Sequence, residues 1–183
     1  THRAAGGSAG NAIGALASLG ASTGFVGKIG NDAYGDFLKR TLKRKGIQDC
    51  LLVSPSLPTG VASTFVSRND GERTFATYLG AAASLKAEDL SLEVFKGYSY
   101  LFVEGYLVQD HDMILHAVEL AKEAGLQVCL DMASYNIVEE DRDFFTLLLT
   151  KYVDIVFANE EEARAFTGKE PDEALAELSR LCS

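Results

Sequence analysis

The chain has 183 residues, which suits one α/β domain and is short for two of average size. With 47% hydrophobic and 23% charged residues it supports a sizeable core and is not a disordered chain. A formal net charge of −9 repels phosphate backbones and argues against a nucleic-acid partner, and no apolar run approaches the roughly 20 residues of a membrane span.

In chain order, Ala12 to Leu19 is small and apolar on most sides and stops at Gly20, which predicts a helix packed closely on a sheet. Ser22 to Ile29 is β-like. Asn31 or Asp32 caps the next helix, which carries Phe37, Leu38 and Leu42 as apolar positions. Its basic end (Lys39, Arg40, Lys43, Arg44, Lys45) suits the helix dipole. Leu51 to Val53 is a short strand. From Pro55 to Gly80 the texture changes: Val61 to Arg68 and Arg73 to Tyr78 are rich in β-branched and aromatic residues and are joined by Asn69-Asp70-Gly71, a hairpin signal.

Beyond it the chain alternates. Strands are predicted at Tyr100 to Val103, Leu126 to Leu130 and Ile155 to Phe157, and helices at Asp112 to Ala124, Asp141 to Leu149, Glu160 to Phe166 and Asp172 to Leu181. Such alternation builds a parallel sheet. The expected organisation is an α/β domain over residues 1–183 with an inserted β-hairpin region over residues 55–80.

Residues 1–7 hold no apolar stretch behind Arg3, so a secretory leader is not expected. Cys50, Cys129 and Cys182 are widely spaced and match no metal or redox pattern, reading as ordinary thiols of a reduced, cytoplasmic protein. His2, His111 and His116 lack neighbours at ligand spacing, so a side-chain metal cage is not expected.

Gly6-Gly7-Ser8-Ala9-Gly10-Asn11 opens the first helix: glycines admit a ligand close to backbone, and Asn11 offers donor and acceptor to hydroxyl groups. Equally, this is a glycine-rich turn with Asn11 facing the sheet. Gly27-Lys28 is not a phosphate loop, since Ser22 and Ile29 occupy its required positions. Asn159-Glu160-Glu161-Glu162 follows a strand, where α/β sheets bind ligands; it reads both as a capping box and as carboxylates for a hydrated magnesium ion. Arg73 is either an exposed strand residue or an anion contact beneath a lid. Asp131 ends a strand as a hydroxyl ligand or a turn cap, and Glu104-Gly105-Tyr106 closes another with a glycine that allows close approach.

Taken in order, Gly6-Gly7-Ser8-Ala9-Gly10-Asn11, Gly27-Lys28-Ile29-Gly30-Asn31-Asp32-Ala33-Tyr34-Gly35, Thr59-Gly60 and Asn159-Glu160-Glu161-Glu162 resemble the ribokinase-like (PfkB) family of carbohydrate and nucleoside kinases. Gly-Gly-Ser before the Asn, Arg73, and Asp154-Ile155-Val156-Phe157-Ala158-Asn159-Glu160 resemble its adenosine kinase branch. The resemblance implies a three-layer α/β sandwich with a mostly parallel sheet and an antiparallel lid. It implies phosphoryl transfer from ATP, with Mg2+, to a primary hydroxyl of a nucleoside or sugar. Gly6, Gly7, Ser8, Asn11 and Tyr106 would bind that acceptor, Asn159 and Glu162 the phosphates and the metal (Glu162 through water), and Arg73 an anion. The family's first strand would precede Thr1 and its general base would follow Ser183, so this chain alone is expected to be inactive. The other class of reading is a non-catalytic module that binds a nucleoside, a sugar or a partner protein. The hairpin serves as lid or dimer contact, so monomer and homodimer both stay open.

Overall fold

A computed structural model of the chain describes residues 3–182; His2 and Ser183 lie outside them. Between Leu85 and Lys86 the chain divides into two compact units.

The first unit contains α1 (Ser8–Ser18), β1 (Gly24–Gly30), α2 (Ala33–Arg44), β2 (Gln48–Ser54), β3 (Val61–Val66), β4 (Arg73–Tyr78) and a short 3-10 turn at Gly80–Ser84. β1 and β2 pair in parallel from Gly24 opposite Gln48 to Gly30 opposite Ser54. α2 connects them and buries Gly35, Thr41 and Leu42. Its start is a directed cap: the Asp32 carboxylate accepts from the backbone N–H groups of Tyr34 and Gly35. Its end is Gly46, at φ 72, a conformation that costs a side chain dearly and glycine nothing. α1 begins earlier than its apolar pattern predicts, because Gly7 turns the chain at φ 90 and the next residues enter the helix directly.

β3 and β4 form the predicted antiparallel hairpin, in register from Val61–Tyr78 to Val66–Arg73. The loop is wider than expected. Ser67 N–H donates to the Glu72 carbonyl at 2.8 Å, so Arg68 joins the loop rather than the strand, and Gly71 takes φ 76.

The second unit runs through β5 (Tyr100–Glu104), α3 (His111–Glu123), β6 (Gln127–Asp131), α4 (Tyr135–Glu140), α5 (Arg142–Lys151), β7 (Ile155–Phe157), α6 (Glu160–Thr167) and α7 (Pro171–Leu181). Its sheet is parallel in the order β5-β6-β7. Val128 and Leu130 of the middle strand, Ile114, Val118 and Ala121 of α3, and Phe145, Leu148 and Leu149 of α5 are buried to 1% exposure or less. Burying each large apolar side chain is worth roughly 1.5–3 kcal/mol, which makes this the stable core of the chain. α4 is not among the predicted helices: it is six residues long, too short to show a helical period. Asp154, just before β7, accepts from Val128 N–H at 2.6 Å and Lys122 Nζ at 2.5 Å, fixing the start of β6 to the end of α3.

The parallel strands therefore lie in two ladders, one in each unit, with the hairpin as the sole antiparallel pair among the described residues. No helix of the described residues is long and apolar enough to cross a membrane. Burial raises all three thiols, Cys50, Cys129 and Cys182, above their ordinary pKa, which leaves them poor nucleophiles.

Candidate active site

In the first unit the glycine-rich segment forms the N-terminus of α1. Gly7 is its N-cap, at φ 90 and ψ 146, with no side chain to cover the free amides of the first turn. A Cβ on Gly6 or Gly7 would meet no atom within 4 Å, so these glycines are needed for backbone conformation and open approach rather than for packing. Asn11 is exposed one turn in, its N–H bonded to the Gly7 carbonyl at 3.0 Å. A helix start of this kind offers amide donors and a positive dipole end to an electron-rich group. Ser8 is the first helical residue, also exposed.

Arg73 sits at the far end of β4 from the hairpin's root, opposite Val66. Every residue of β4 is exposed, Arg73 included.

In the second unit the candidates gather at the C-terminal ends of parallel strands, where α/β folds bind ligands. Glu104 ends β5 and stands in register with Asp131, the last residue of β6, which stands in register with Phe157 of β7. Glu104 is buried at 5% exposure, a costly position for a carboxylate. The sequence signal was there: a lone acid closing the apolar run Leu101-Phe102-Val103. Gly105 follows because nothing larger fits. A Cβ there would lie 2.7 Å from the carbonyl oxygens of Asp131 and Met132. Tyr106 comes next, in a single 3-10 turn and half exposed.

Past β6 the chain turns sharply, with Ala133 at φ 64. Left-handed backbone costs a residue with a Cβ roughly 1–2 kcal/mol. Asp131 offsets this by accepting from Ala133 N–H at 2.8 Å. Turn capping, one of the two roles read for Asp131, is thus a real contact.

Asn159 and Glu162 meet directly. Asn159 caps α6 by accepting from Glu162 N–H at 2.9 Å; Glu162 accepts in return from Asn159 N–H at 2.9 Å and from its Nδ2 at 2.7 Å. This is a full capping box plus one bond between side chains. Glu162 is 6% exposed, so it is a buried residue and not a surface one. Each of its oxygens holds one donor and retains a lone pair. The residue could therefore hold a magnesium ion through water. Among the described residues no group of three His, Cys, Asp or Glu side chains is placed to hold a metal.

Beside β7, α6 and α7 lies a cleft of about 520 Å³, lined by Val156, Asn159, Ala163, Leu175, Leu178 and Cys182, with Asp154 and Glu160 as its only charged residues. Apolar walls and two carboxylates do not suit a polyphosphate.

The fold is ribokinase-like, as its likeness to solved structures shows. The chain belongs to the pfkB family of carbohydrate kinases, whose family profile it matches over residues 1–182. It is 34% identical to the crystal structure of adenosine kinase from Sinorhizobium meliloti, with a TM-score of 0.86 over 98% of this chain and 56% of that one. It is 32% identical to guanosine-inosine kinase of Escherichia coli K12 over 96% of this chain and 42% of the relative. It is 31% identical to fructokinase-1 of Zea mays over 91% and 54%. The chain thus spans about half the length of the relatives it matches.

Proposed function

We propose that the full-length protein transfers the γ-phosphoryl group of ATP to a primary hydroxyl of a nucleoside or sugar, with nucleosides the acceptor class to test first. The reading is carried by the family match over residues 1–182. The 34% identity to an adenosine kinase supports the choice of nucleoside.

Phosphoryl transfer depends on positioning and charge stabilisation more than on covalent help. The open first turn of α1 and the Asn159–Glu162 pair support the following roles. Gly6, Gly7, Ser8 and Asn11 bind acceptor hydroxyls through the open first turn of α1 and the Asn11 side chain. Tyr106, exposed just after β5, is the candidate acceptor contact of the second unit. The 55–80 region is a lid, and Arg73 approaches an anion from it. Asn159 orients Glu162 by two hydrogen bonds, and Glu162 would hold magnesium through water. Magnesium, when bound, neutralises charge on the phosphoryl oxygens.

The test is a product assay with full-length protein, labelled ATP, Mg2+ and a panel of adenosine, guanosine, inosine, ribose and fructose. Phosphorylated nucleoside is the expected product. A panel with no phosphorylated member, under conditions where the protein is folded, overturns the reading.

A further inference from the structure

We propose that Asp32 is a positioning residue for acceptor phosphorylation: its carboxylate clamps Thr59 and so fixes the root from which the β3–β4 hairpin extends. The inference rests on the lid reading above and adds to it the group that anchors the lid.

As a helix cap, Asp32 needs only one oxygen, and Oδ1 serves Tyr34 and Gly35. Its other contacts reach a residue 27 positions away. Thr59 N–H donates to Oδ2 at 2.7 Å, and the Thr59 hydroxyl donates to Oδ1 at 2.8 Å. The Thr59 oxygen in turn accepts from Gly30 N–H, at the end of β1, at 2.9 Å. Thr59 is buried at 8% exposure and Asp32 is half-buried, so these contacts are partly shielded from competing water.

The return strand is tied to the same post. Ala81 N–H donates to the Pro58 carbonyl at 2.8 Å, and Ala81 is fully buried. Between the two roots the backbones touch. A Cβ on Gly60 would lie 2.5 Å from the Leu79 carbonyl oxygen, and one on Gly80 would lie 2.3 Å from that of Pro58. Gly35 belongs to the same device, since a Cβ there would crowd the Gly30 carbonyl oxygen at 2.5 Å and Thr59 Oγ1 at 3.0 Å. Outside this post the hairpin has no core: β4 is exposed throughout, and β3 from Ala62 onward. A two-stranded ribbon is marginal by itself, so its orientation depends on how its root is held. The stretch Gly30-Asn31-Asp32-Ala33-Tyr34-Gly35 thus has a use apart from any ligand contact.

Asp32→Ser separates clamp from cap. Serine is as good a cap as aspartate but is too short to accept from Thr59 as well. In full-length protein, the amides of Thr59, Ala81 and the hairpin should exchange about tenfold faster in Asp32→Ser, as local opening becomes easier. Acceptor KM should rise about tenfold with kcat and the KM for ATP nearly unchanged. Thr59→Val, which removes the hydroxyl and keeps the shape, should shift both readouts the same way by less. Wild-type exchange and wild-type acceptor KM in Asp32→Ser would leave Asp32 a helix cap and overturn the proposal. The double variant Phe65→Ser, Phe75→Ser alters the hairpin's exposed faces and leaves the clamp intact. If it raises acceptor KM while Asp32→Ser does not, the clamp proposal fails and the lid reading stands. If it leaves acceptor KM unchanged, the lid reading fails and takes the proposal with it.

Discussion

The two units of the chain are held together by different means. Among the described residues all of the largest fully buried side chains, Ile114, Leu130, Phe145 and Leu149 among them, lie in the second unit. The first has Ile29, Leu42, Ile47 and Ala81 as its buried hydrophobic residues. It relies instead on Asp32, Thr59 and glycines that let backbones touch. Apolar packing is non-directional and spread over many contacts, so it gives stability. Directional hydrogen bonds at a narrow root give less stability but fix an angle. A packed scaffold and a two-stranded ribbon exposed along its length call for these two different solutions.

The largest effect expected tests the packed side of that contrast. Leu130→Ala, at 1% exposure, should lower stability by about 2–5 kcal/mol. Phe65→Ala removes a larger side chain that is 61% exposed and should change stability by no more than about 0.5 kcal/mol. Urea unfolding of full-length variants measures both. Comparable losses would mean that the hairpin is packed against something that the fold of this chain does not show.

Glu162 tests the site within the packed unit. A capping box alone would accept Gln as well as Glu at this position. In the structure Glu162 is also buried and accepts two hydrogen bonds from Asn159. In Glu162→Gln the new amide nitrogen must face an Asn159 donor, so one of these bonds is lost. Stability should fall by about 1–3 kcal/mol, or a few degrees in Tm. If the carboxylate also acts on magnesium, kcat should fall at least tenfold or so and the magnesium requirement should rise. A variant that melts early yet keeps wild-type magnesium dependence would make the Asn159–Glu162 pair purely structural.

The units also differ in how far the sequence reveals them. The cap of α2 was narrowed to Asn31 or Asp32, and the structure settles it as Asp32. Strands such as Ile155–Phe157 and the cap at Asn159 were legible because their signals are local. So was the hairpin, apart from the position of Arg68. α4 was not, because six residues with two β-branched members carry no helical period. Nor was the early start of α1, since the Gly7 turn is a backbone choice that apolar spacing does not report. The Asp32–Thr59 clamp joins residues far apart in sequence and has no local signature at all. Among candidate site residues, the Asn159–Glu162 pair could be placed from its spacing alone, whereas the acid that closes the apolar run at Glu104 hints at a burial that the strand pairing then makes explicit.

Asn11 tests the open side of the contrast. It is exposed on the first turn of α1, so Asn11→Ala should leave Tm nearly unchanged. If it pairs with an acceptor hydroxyl in a closed site, acceptor binding should weaken by about 1–3 kcal/mol, roughly tenfold or more, with ATP little affected. Calorimetric titration of the acceptor into full-length protein reads this directly, and wild-type affinity would remove Asn11 from the site.

The smallest effect expected is an acid-dependent loosening that sets one carboxylate of each unit against the other. Thr59 N–H, then Gly35 N–H and the Thr59 hydroxyl, hold Asp32 below its ordinary pKa. For Asp154 burial pushes upward, but the Lys122 and Val128 donors outweigh it and the net direction is again down. A depressed folded pKa means that the ionised form is the one bound by the fold. Each contribution is therefore complete above the ordinary carboxylate pKa of about 3.9 and is lost as pH falls through the lower folded value. The consequences differ because the surroundings differ. Protonated Asp154 weakens the join between α3 and β6 inside the packed unit, and its loss should appear in global unfolding. Protonated Asp32 weakens the hairpin root and the cap of α2, both within the first unit, so protection of the Thr59 and Ala81 amides should drop in acid while the second unit keeps its own. In Asp32→Asn that protection should already be low and should show no acid step once intrinsic exchange is corrected for pH. An acid step that persists at Thr59 and Ala81 in Asp32→Asn would assign it to another group and remove the clamp from the account of how the two units differ.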